Sequence, residues 1–169
     1  MTPIVFPQSP IERGEITVDV SDTDVVAVAA RVVEQYRSRA AAKGLRLFAI
    51  LPESAPTIPL NAARFEQVLR HLVDNAVKFT GKGSIKVTLV TEADTKRPSR
   101  LIIADTGIGI PADRLDQIFM SFEQVEGSSR HSGVGLGLTL ALGLCDAMGC
   151  RLTAASEIGV GSRFTVRFR

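Results

Sequence analysis

The sequence has little cysteine, no tryptophan and no long apolar run. Its two cysteines, Cys145 and Cys150, are too few for a disulfide framework and lack the further ligands of a structural zinc site. We interpret them as small buried side chains in a reducing compartment. No segment reaches the ~18 consecutive apolar residues of a membrane span, and residues 1–10 lack the features of a secretory signal. These absences predict a cytoplasmic chain, with any inner-membrane anchor of a longer parent protein lying on other sequence.

A strong excess of charge of either sign is also absent. Lysine and arginine number 20 against 18 aspartates and glutamates, a formal net charge of +2. That balance argues against nucleic acid, and against contact with an anionic membrane, as the main partner. The length of 169 residues with 45% hydrophobic residues predicts one globular domain with a real core.

Hydrophobic periodicity gives an outline of the fold. Helical spacing predicts helices at about 24–42, 61–79 and 136–148, and alternation predicts strands at 16–20, 45–51, 84–89, 101–104, 151–156 and 162–168. Ser21 or Asp22 is the expected N-cap of the first helix and Asn61 that of the second. We therefore expect an irregular N-terminal arm at 1–15 and an α+β domain at 16–169. That domain is a two-layer α/β sandwich, with three main helices on one face of a mixed, mostly antiparallel sheet.

The second predicted helix carries an unusual polar stripe opposite its apolar face. The stripe consists of Gln67, His71, Asn75 and Lys78. Most such stripes are simply solvated. Here, however, an amide oxygen is a hard ligand for Mg²⁺, and a lysine supplies a point charge to phosphate. The composition therefore also fits a metal–phosphate ligand.

Two glycine-rich motifs follow. The first, Asp105-Thr106-Gly107-Ile108-Gly109-Ile110, begins at the end of a predicted strand with an acceptor that can take a hydrogen bond from an exocyclic amine. The second, Gly133-Val134-Gly135-Leu136-Gly137-Leu138, leads into the third helix, where free backbone N–H groups and the helix dipole favour an anion. The second motif matches neither the P-loop nor the Rossmann fingerprint.

The order of these motifs is more specific than any one of them. With Phe119 and Phe122 between the glycine motifs and Gly159-Val160-Gly161 after them, the chain resembles the catalytic ATP-binding domain of sensor histidine kinases. That family shares the Bergerat (GHKL) fold with gyrase-type ATPases. The resemblance covers about 16–168 and implies a domain that binds ATP and Mg²⁺.

The resemblance also implies roles for individual residues. Asp105 would accept the adenine amino group, with Phe79 against the base and Gly107, Gly109 and Ile110 shaping its pocket. Asn75 would hold Mg²⁺, and Lys78 would touch the phosphates. The phosphates would also meet the second glycine motif, formed by Gly133, Gly135, Leu136, Gly137 and Leu138. A mobile ATP lid would span about 112–134, with Phe119 and Phe122 at its base and Arg130 reaching the γ-phosphate.

Three positions depart from the family's usual pattern. His71 stands where the family often has a second asparagine and where direct hydrolases have a glutamate base, which argues against a dedicated ATPase. His71 could reach Mg²⁺, contact phosphate or merely line the pocket. Val134 replaces a usual threonine and Ser132 a usual glycine. The only histidines, His71 and His131, lack the setting of a phosphoacceptor.

The implied activity is therefore that of a histidine kinase catalytic domain in two-component signalling. It would transfer the γ-phosphoryl group to a histidine on a separate dimerisation domain of its own receptor, and indirectly supply a response regulator. As an isolated fragment it would be monomeric. The departures from the family pattern at His71 and Val134 suggest an alternative function. In that alternative the chain is a catalytically weak, nucleotide-binding pseudokinase or scaffold module. A serine kinase of the anti-sigma type is a weaker alternative, and a gyrase-like ATPase the weakest.

Overall fold

Along the chain, successive pairs of strands are separated by single helices, and the last pair is a hairpin. The computed structural model describes residues 3–5, 19–115 and 133–169, with the backbone alone for 4–5 and 133–137. The helices are α1 (Val25–Ala42), α2 (Ala62–Phe79) and α3 (Gly133–Ala147). The strands are β1 (Ile4–Val5), β2 (Ser21–Thr23), β3 (Arg46–Ile50), β4 (Ile58–Leu60), β5 (Ser84–Thr91), β6 (Pro98–Asp105), β7 (Arg151–Glu157) and β8 (Gly161–Arg167). Residues 112–115 add one helical turn.

The caps of the first two helices are side-chain hydrogen bonds. The Asn61 side chain accepts from the backbone N–H of Arg64 at 2.9 Å, as predicted for α2. At α1 the prediction of Ser21 or Asp22 is wrong, because the cap is Asp24, which accepts from the Ala27 N–H at 3.0 Å. Ser21 and Asp22 belong to β2, which pairs with β4. The predicted strand at 16–20 therefore does not form at 19–20, and 16–18 lie outside the described residues.

The main sheet has six strands in the order β1-β7-β8-β6-β5-β3. The β3–β5 pair is parallel, and the other neighbours are antiparallel. This confirms the mixed, mostly antiparallel sheet, in which β5 with β6 and β7 with β8 form antiparallel hairpins. Ile4 and Val5 pair with Thr153 and Ala154 of β7, so a short strand lies inside the arm expected to be irregular.

The hydrophobic core lies between the sheet and the helices. Alternate strand residues such as Ile85, Leu101 and Val166 are fully buried and meet the apolar faces of α1, α2 and α3. The rings of Phe65 on α2 and Phe168 after β8 meet edge to face, with centroids 5.6 Å apart. The opposite face of the sheet carries no helix of the described residues, so the architecture is the two-layer sandwich that the sequence predicts.

Two further findings concern the helices. None of the helices that the structure describes is both long and apolar enough to cross a bilayer. The third helix begins at Gly133, three residues before the predicted start at about 136. The second glycine motif therefore forms the first turns of α3 instead of preceding the helix.

Candidate functional site

Two members of the polar stripe of α2 are withdrawn from solvent. Asn75 is 6% exposed, and His71 is half-buried. The Asn75 Nδ2 and His71 Nε2 atoms are buried without a hydrogen-bond partner among the described residues. A buried polar atom left unpaired costs about 1–3 kcal/mol. Two such atoms one helical turn apart therefore indicate a place where a polar ligand completes the structure.

His71 is held in its neutral form. Burial lowers the pKa of its imidazole below the ordinary 6.5, and the negative charge of Asp74 opposes that shift only in part. At pH 7 one ring nitrogen therefore carries a proton and the other an acceptor lone pair. His71 thus adds no positive charge that would repel a cation bound beside Asn75.

Lys78 lies at the exposed end of the same stripe and already has an anionic partner. Its Nζ atom is 3.1 Å from an Asp74 carboxylate oxygen, and the other oxygen of that carboxylate accepts from Arg39 of α1 at 2.8 Å. The ammonium group is exposed, so this contact is weak and readily exchanged. A phosphate bound at the end of α2 could therefore replace Asp74 as the ion-pair partner of Lys78.

Asp105 ends strand β6 with one carboxylate oxygen oriented by the loop that follows. The Gly107 N–H donates to that Oδ1 atom at 2.9 Å. Burial raises the pKa of the Asp105 carboxyl above its ordinary 3.8, and backbone hydrogen bonds from Gly107 and Ser162 oppose the rise. The site therefore keeps a partly desolvated, acceptor-only group in a fixed orientation.

The first glycine motif lies directly on the C-terminal end of α2. The Ile108 N–H donates to the Phe79 carbonyl at 3.4 Å. A Cβ atom at Gly107 would lie only 2.5 Å from that carbonyl and 3.0 Å from the Thr80 hydroxyl oxygen. This close approach requires glycine, and it joins the Asp105 loop to the helix that carries Asn75 and Lys78. The Phe79 side chain at this junction is exposed.

Two hydroxyl residues in the site were missed from the sequence. Thr80 is fully buried, and its Oγ1 atom has no partner in the part of the chain that is described. The Ser156 hydroxyl of β7 accepts from the Ile110 N–H at 2.7 Å and donates to the Gly161 carbonyl at 3.0 Å. Thr80 caps the C-terminal end of the helix that carries the stripe. That position next to the predicted site could have identified it from the sequence. Ser156 is 46 residues from Ile110, and no local pattern marks that contact.

The turn between β7 and β8 braces the Asp105 loop from the other side. The Gly159 N–H donates to the Ile108 carbonyl at 2.9 Å. Gly109 has a φ of +76°, and a Cβ atom there would overlap the Glu157 carbonyl. The sequence motif at 159–161 thus has a structural task, since it holds the first glycine motif in place.

A matched pair of alanine substitutions tests this close packing. Gly109 and Gly159 both have positive φ, but a Cβ atom at Gly159 meets nothing within 4 Å. We expect Gly159→Ala to lose about 1–2 kcal/mol of unfolding free energy from backbone strain alone. Gly109→Ala should lose about 1–2 kcal/mol more, because it also crowds Glu157. Urea denaturation of both variants measures the difference, and equal losses would show that the loop is not tightly packed there.

The second glycine motif contributes a helix N-terminus. Gly133, Gly135, Leu136 and Gly137 have helical backbone in the first turns of α3. The first four N–H groups of a helix have no partner within it, so those of Gly133 and Gly135 suit an anion, whereas the Gly137 N–H lies beyond these four and bonds within the helix. Leu138 is 1% exposed and belongs to the hydrophobic core. Its side chain therefore does not reach the site.

Most of the predicted lid lies outside the described residues. That applies to Phe119, Phe122 and Arg130, and to Ser132 and His131. The described beginning of the lid, at 112–115, is a helical turn, and Leu115 is 2% exposed. The structure thus brings together Asn75, Lys78, Phe79, Asp105 and the first glycine motif, all at one end of α2 and β6.

The chain is similar to known proteins in both sequence and fold. Residues 60–169 match the family of histidine kinase-, DNA gyrase B- and HSP90-like ATPases. The hybrid signal transduction histidine kinase L of Dictyostelium discoideum is 34% identical over 163 residues, which are 93% of this chain and 10% of that protein. The aerobic respiration control sensor protein ArcB of Escherichia coli K12 is 34% identical over 165 residues, 92% of this chain and 20% of that protein. The chain therefore spans a tenth to a fifth of the length of these relatives.

Solved structures show the same fold. Full-length ShkA in complex with AMPPNP has a TM-score of 0.74 at 32% identity, over 89% of this chain and 31% of that chain. The catalytic domain of histidine kinase ThkA has a TM-score of 0.71 at 20% identity, over 88% of this chain and 94% of that chain. The chain belongs to the histidine kinase-, DNA gyrase B- and HSP90-like ATPase family, and it is an ATP-binding catalytic domain of the histidine kinase type.

Proposed function

We propose that this domain binds Mg²⁺-ATP and transfers the γ-phosphoryl group to a histidine on a separate dimerisation domain of its own receptor. The observation that carries the proposal is the junction of α2 with the Asp105 loop. There an oriented, partly desolvated carboxylate lies beside a helix whose buried polar atoms lack partners among the described residues. The Asp105 side of this junction fits a base with an exocyclic amine, and the α2 side, with Asn75 and Lys78, fits phosphates.

Adenine specificity would rest on Asp105. An ionised carboxylate only accepts hydrogen bonds, so it favours the amino group of adenine over the carbonyl that guanine presents at the same position. Gly107 and Gly109 allow the backbone to approach the base closely, and Ile110 is fixed by its hydrogen bond to Ser156. The exposed ring of Phe79 is available to cover the base.

The residues at the phosphate end fit a magnesium ion. Asn75 offers a hard amide oxygen, and its buried Nδ2 is left for a phosphate or water. When bound, Mg²⁺ would neutralise charge on the phosphates. Lys78 would exchange Asp74 for a phosphate oxygen, and the N-terminal N–H groups of α3 would donate to the others. We also assign Arg130 of the lid to the γ-phosphate.

The chemical step requires little from this chain beyond positioning. A nitrogen of the acceptor imidazole attacks the γ-phosphorus, the bond from phosphorus to the bridging oxygen breaks, and ADP leaves. The attacking nitrogen is the one that carries the lone pair, and the proton on the other ring nitrogen then goes to solvent or to a base on the partner domain. Since no glutamate stands at the position of His71, this chain supplies no carboxylate there to activate water. A response regulator would receive the phosphoryl group in a later step.

A transfer assay tests the proposal directly. The chain is mixed with the isolated dimerisation domain of its own receptor and ATP labelled in the γ-phosphate. We expect acid-labile label on that domain, and none when its acceptor histidine is replaced by alanine. Binding of ATP without any transfer of label would contradict the kinase assignment.

A second candidate, a catalytically weak nucleotide-binding module, is favoured by one observation. His71 places a neutral imidazole where relatives often have an asparagine, and its Nε2 atom lacks a partner among the described residues. If His71 only lines the pocket, His71→Asn should change the rate of label transfer by less than about threefold, since half a kcal/mol is within the spread of near-neutral substitutions. A gain of more than tenfold in His71→Asn would instead establish the weak module.

A further inference from the structure

The open face of the main sheet carries positive charge that has no ion-pair partner in the part of the chain that the structure describes. Six cationic residues of β3, β5, β6, β7 and β8 alternate with buried neighbours and so lie on this face: Arg46, Lys86, Arg100, Arg151, Arg163 and Arg167. Among the described strand residues with the same alternation, the one carboxylate is Glu157, six positions along β7 from Arg151. The face is therefore strongly basic although the whole chain is nearly neutral.

Three arginines of this face lie opposite one another on neighbouring strands. Arg167 of β8 lies directly opposite Arg100 of β6 on one side and Arg151 of β7 on the other. Like charges directly opposite each other destabilise a sheet. No ion pair joins these three arginines to a carboxylate within the described residues. These three arginines, the arginine row, therefore destabilise the fold, and no carboxylate of the described residues offsets that cost.

In the helical layer of the same domain, most arginines contact a carboxylate. Arg31 and Arg70 both contact Glu66, at 2.6 Å and 3.0 Å, and Arg39 contacts Asp74. Four of the five arginines of α1 and α2 are thus paired with carboxylates, and Arg64 is the exception among the described residues. The lack of ion pairs is therefore a feature of the arginines on the sheet and not of most arginines on the helices.

A concavity lies over the row. Its volume is about 590 Å³, within the range of small-molecule sites. The N-terminal segment bounds it at Pro3, beside the β1–β7 pairing, and its floor includes Thr153 and Thr165, which face each other across β7 and β8. Its cations are all arginines, namely Arg100, Arg151, Arg163, Arg167 and Arg169. Guanidinium groups match phosphate oxygens with two parallel hydrogen bonds, and the threonine hydroxyls can add donors.

We propose that this groove binds a small ligand with two or more phosphate groups, at a site separate from the ATP site. Charge density favours phosphates over carboxylates. Five guanidinium groups in one small-molecule cavity would need five carboxylates, whereas two or three phosphates, at about −1.5 to −2 each, carry the same charge. A second copy of this chain is excluded as a face-to-face partner, because the two basic rows would repel each other.

The probe for a first test is inorganic tripolyphosphate in the presence of EDTA. We expect backbone amide shifts in β6, β7 and β8 by NMR. We expect about tenfold weaker binding for each of Arg151→Gln and Arg167→Gln, since each removes a charge-assisted hydrogen bond. The control Arg64→Gln removes an exposed arginine of α2 and should leave tripolyphosphate binding unchanged. All three variants should bind an ATP analogue as the parent chain does, which shows that they are folded.

Further arms of the test identify the source and set the outcomes that overturn the proposal. Binding of phosphoinositide-containing vesicles, lost in Arg167→Gln, would identify a lipid headgroup as the source, and binding of tripolyphosphate alone a free ligand. Shifts confined to α2 and the Asp105 loop would show binding only at the ATP site and would overturn the proposal. Tighter binding of poly-glutamate to the groove would also overturn it, in favour of an acidic protein segment.

Discussion

Asp105→Asn is expected to weaken binding of a non-hydrolysable ATP analogue about 10–100-fold, which corresponds to one hydrogen bond to a charged acceptor. The asparagine can still accept the Gly107 N–H, so the loop keeps its shape. However, its NH₂ group can be turned toward the amine of the base, and its oxygen carries no charge. Calorimetric titration with and without Mg²⁺ measures the loss. The control Asp94→Asn, in the exposed turn between β5 and β6, should bind like the parent chain.

The same variant should be at least as stable as the parent chain without nucleotide. Because burial raises the pKa of Asp105, its ionised form disfavours the folded state at neutral pH. As the pH falls through that raised pKa, the folded chain takes up the proton before the unfolded chain does, and this cost is relieved. The stability gap between Asp105→Asn and the parent chain should therefore narrow on acidification. Thermal melts of both chains at neutral and acidic pH follow the gap, and a less stable Asp105→Asn at pH 7 would contradict the assigned environment.

Asn75→Ala is expected to lower the rate of label transfer about 10²–10³-fold, the usual cost of losing one preorganised electrostatic group. Its second signature separates a ligand role from a structural one. In the parent chain Mg²⁺ should strengthen nucleotide binding, and in Asn75→Ala that dependence should disappear. Binding that stays fully magnesium-dependent in this variant would remove Asn75 from the metal site.

The fold of Asn75→Ala should not suffer. The substitution removes a buried amide nitrogen that lacks a partner among the described residues, and alanine is the best helix former. A matched control is Gln35→Ala, which removes an exposed amide from α1 and should leave transfer unchanged. A large loss of unfolding free energy in Asn75→Ala alone would mean that the amide has a structural partner.

The sequence predicted local features of the fold well and pairings between distant residues poorly. The limits of α2 follow from its Asn61 cap and its apolar spacing, both of which depend on residues a few positions apart. The cap of α1 was misplaced because Ser21 and Asp22 pair with β4, whose residues are 37 to 39 positions later. The parallel pairing of β3 with β5 is another consequence of tertiary contacts that no short window contains.

The candidate site follows the same division. Asp105, Asn75 and the glycine motifs were proposed from the sequence because their spacing along the chain is itself the signal. Ser156 could not, because its hydroxyl serves a backbone group 46 residues away. Leu138 was included with the second glycine motif, but its place in the second turn of a buried helix puts its side chain in the core.

The position of β8 has a consequence for the order in which the domain is made. This last strand of the chain lies between β7 and β6 in the interior of the sheet, and Gly161 lies against the Asp105 backbone. During synthesis the elements up to β7 can emerge and collapse, yet Asp105 has no neighbour on its β8 side until β8 has left the ribosome. The Asp105 edge of β6 therefore stays unpaired until β8 has been added. The nucleotide site proposed above would accordingly be among the last parts of this domain to form.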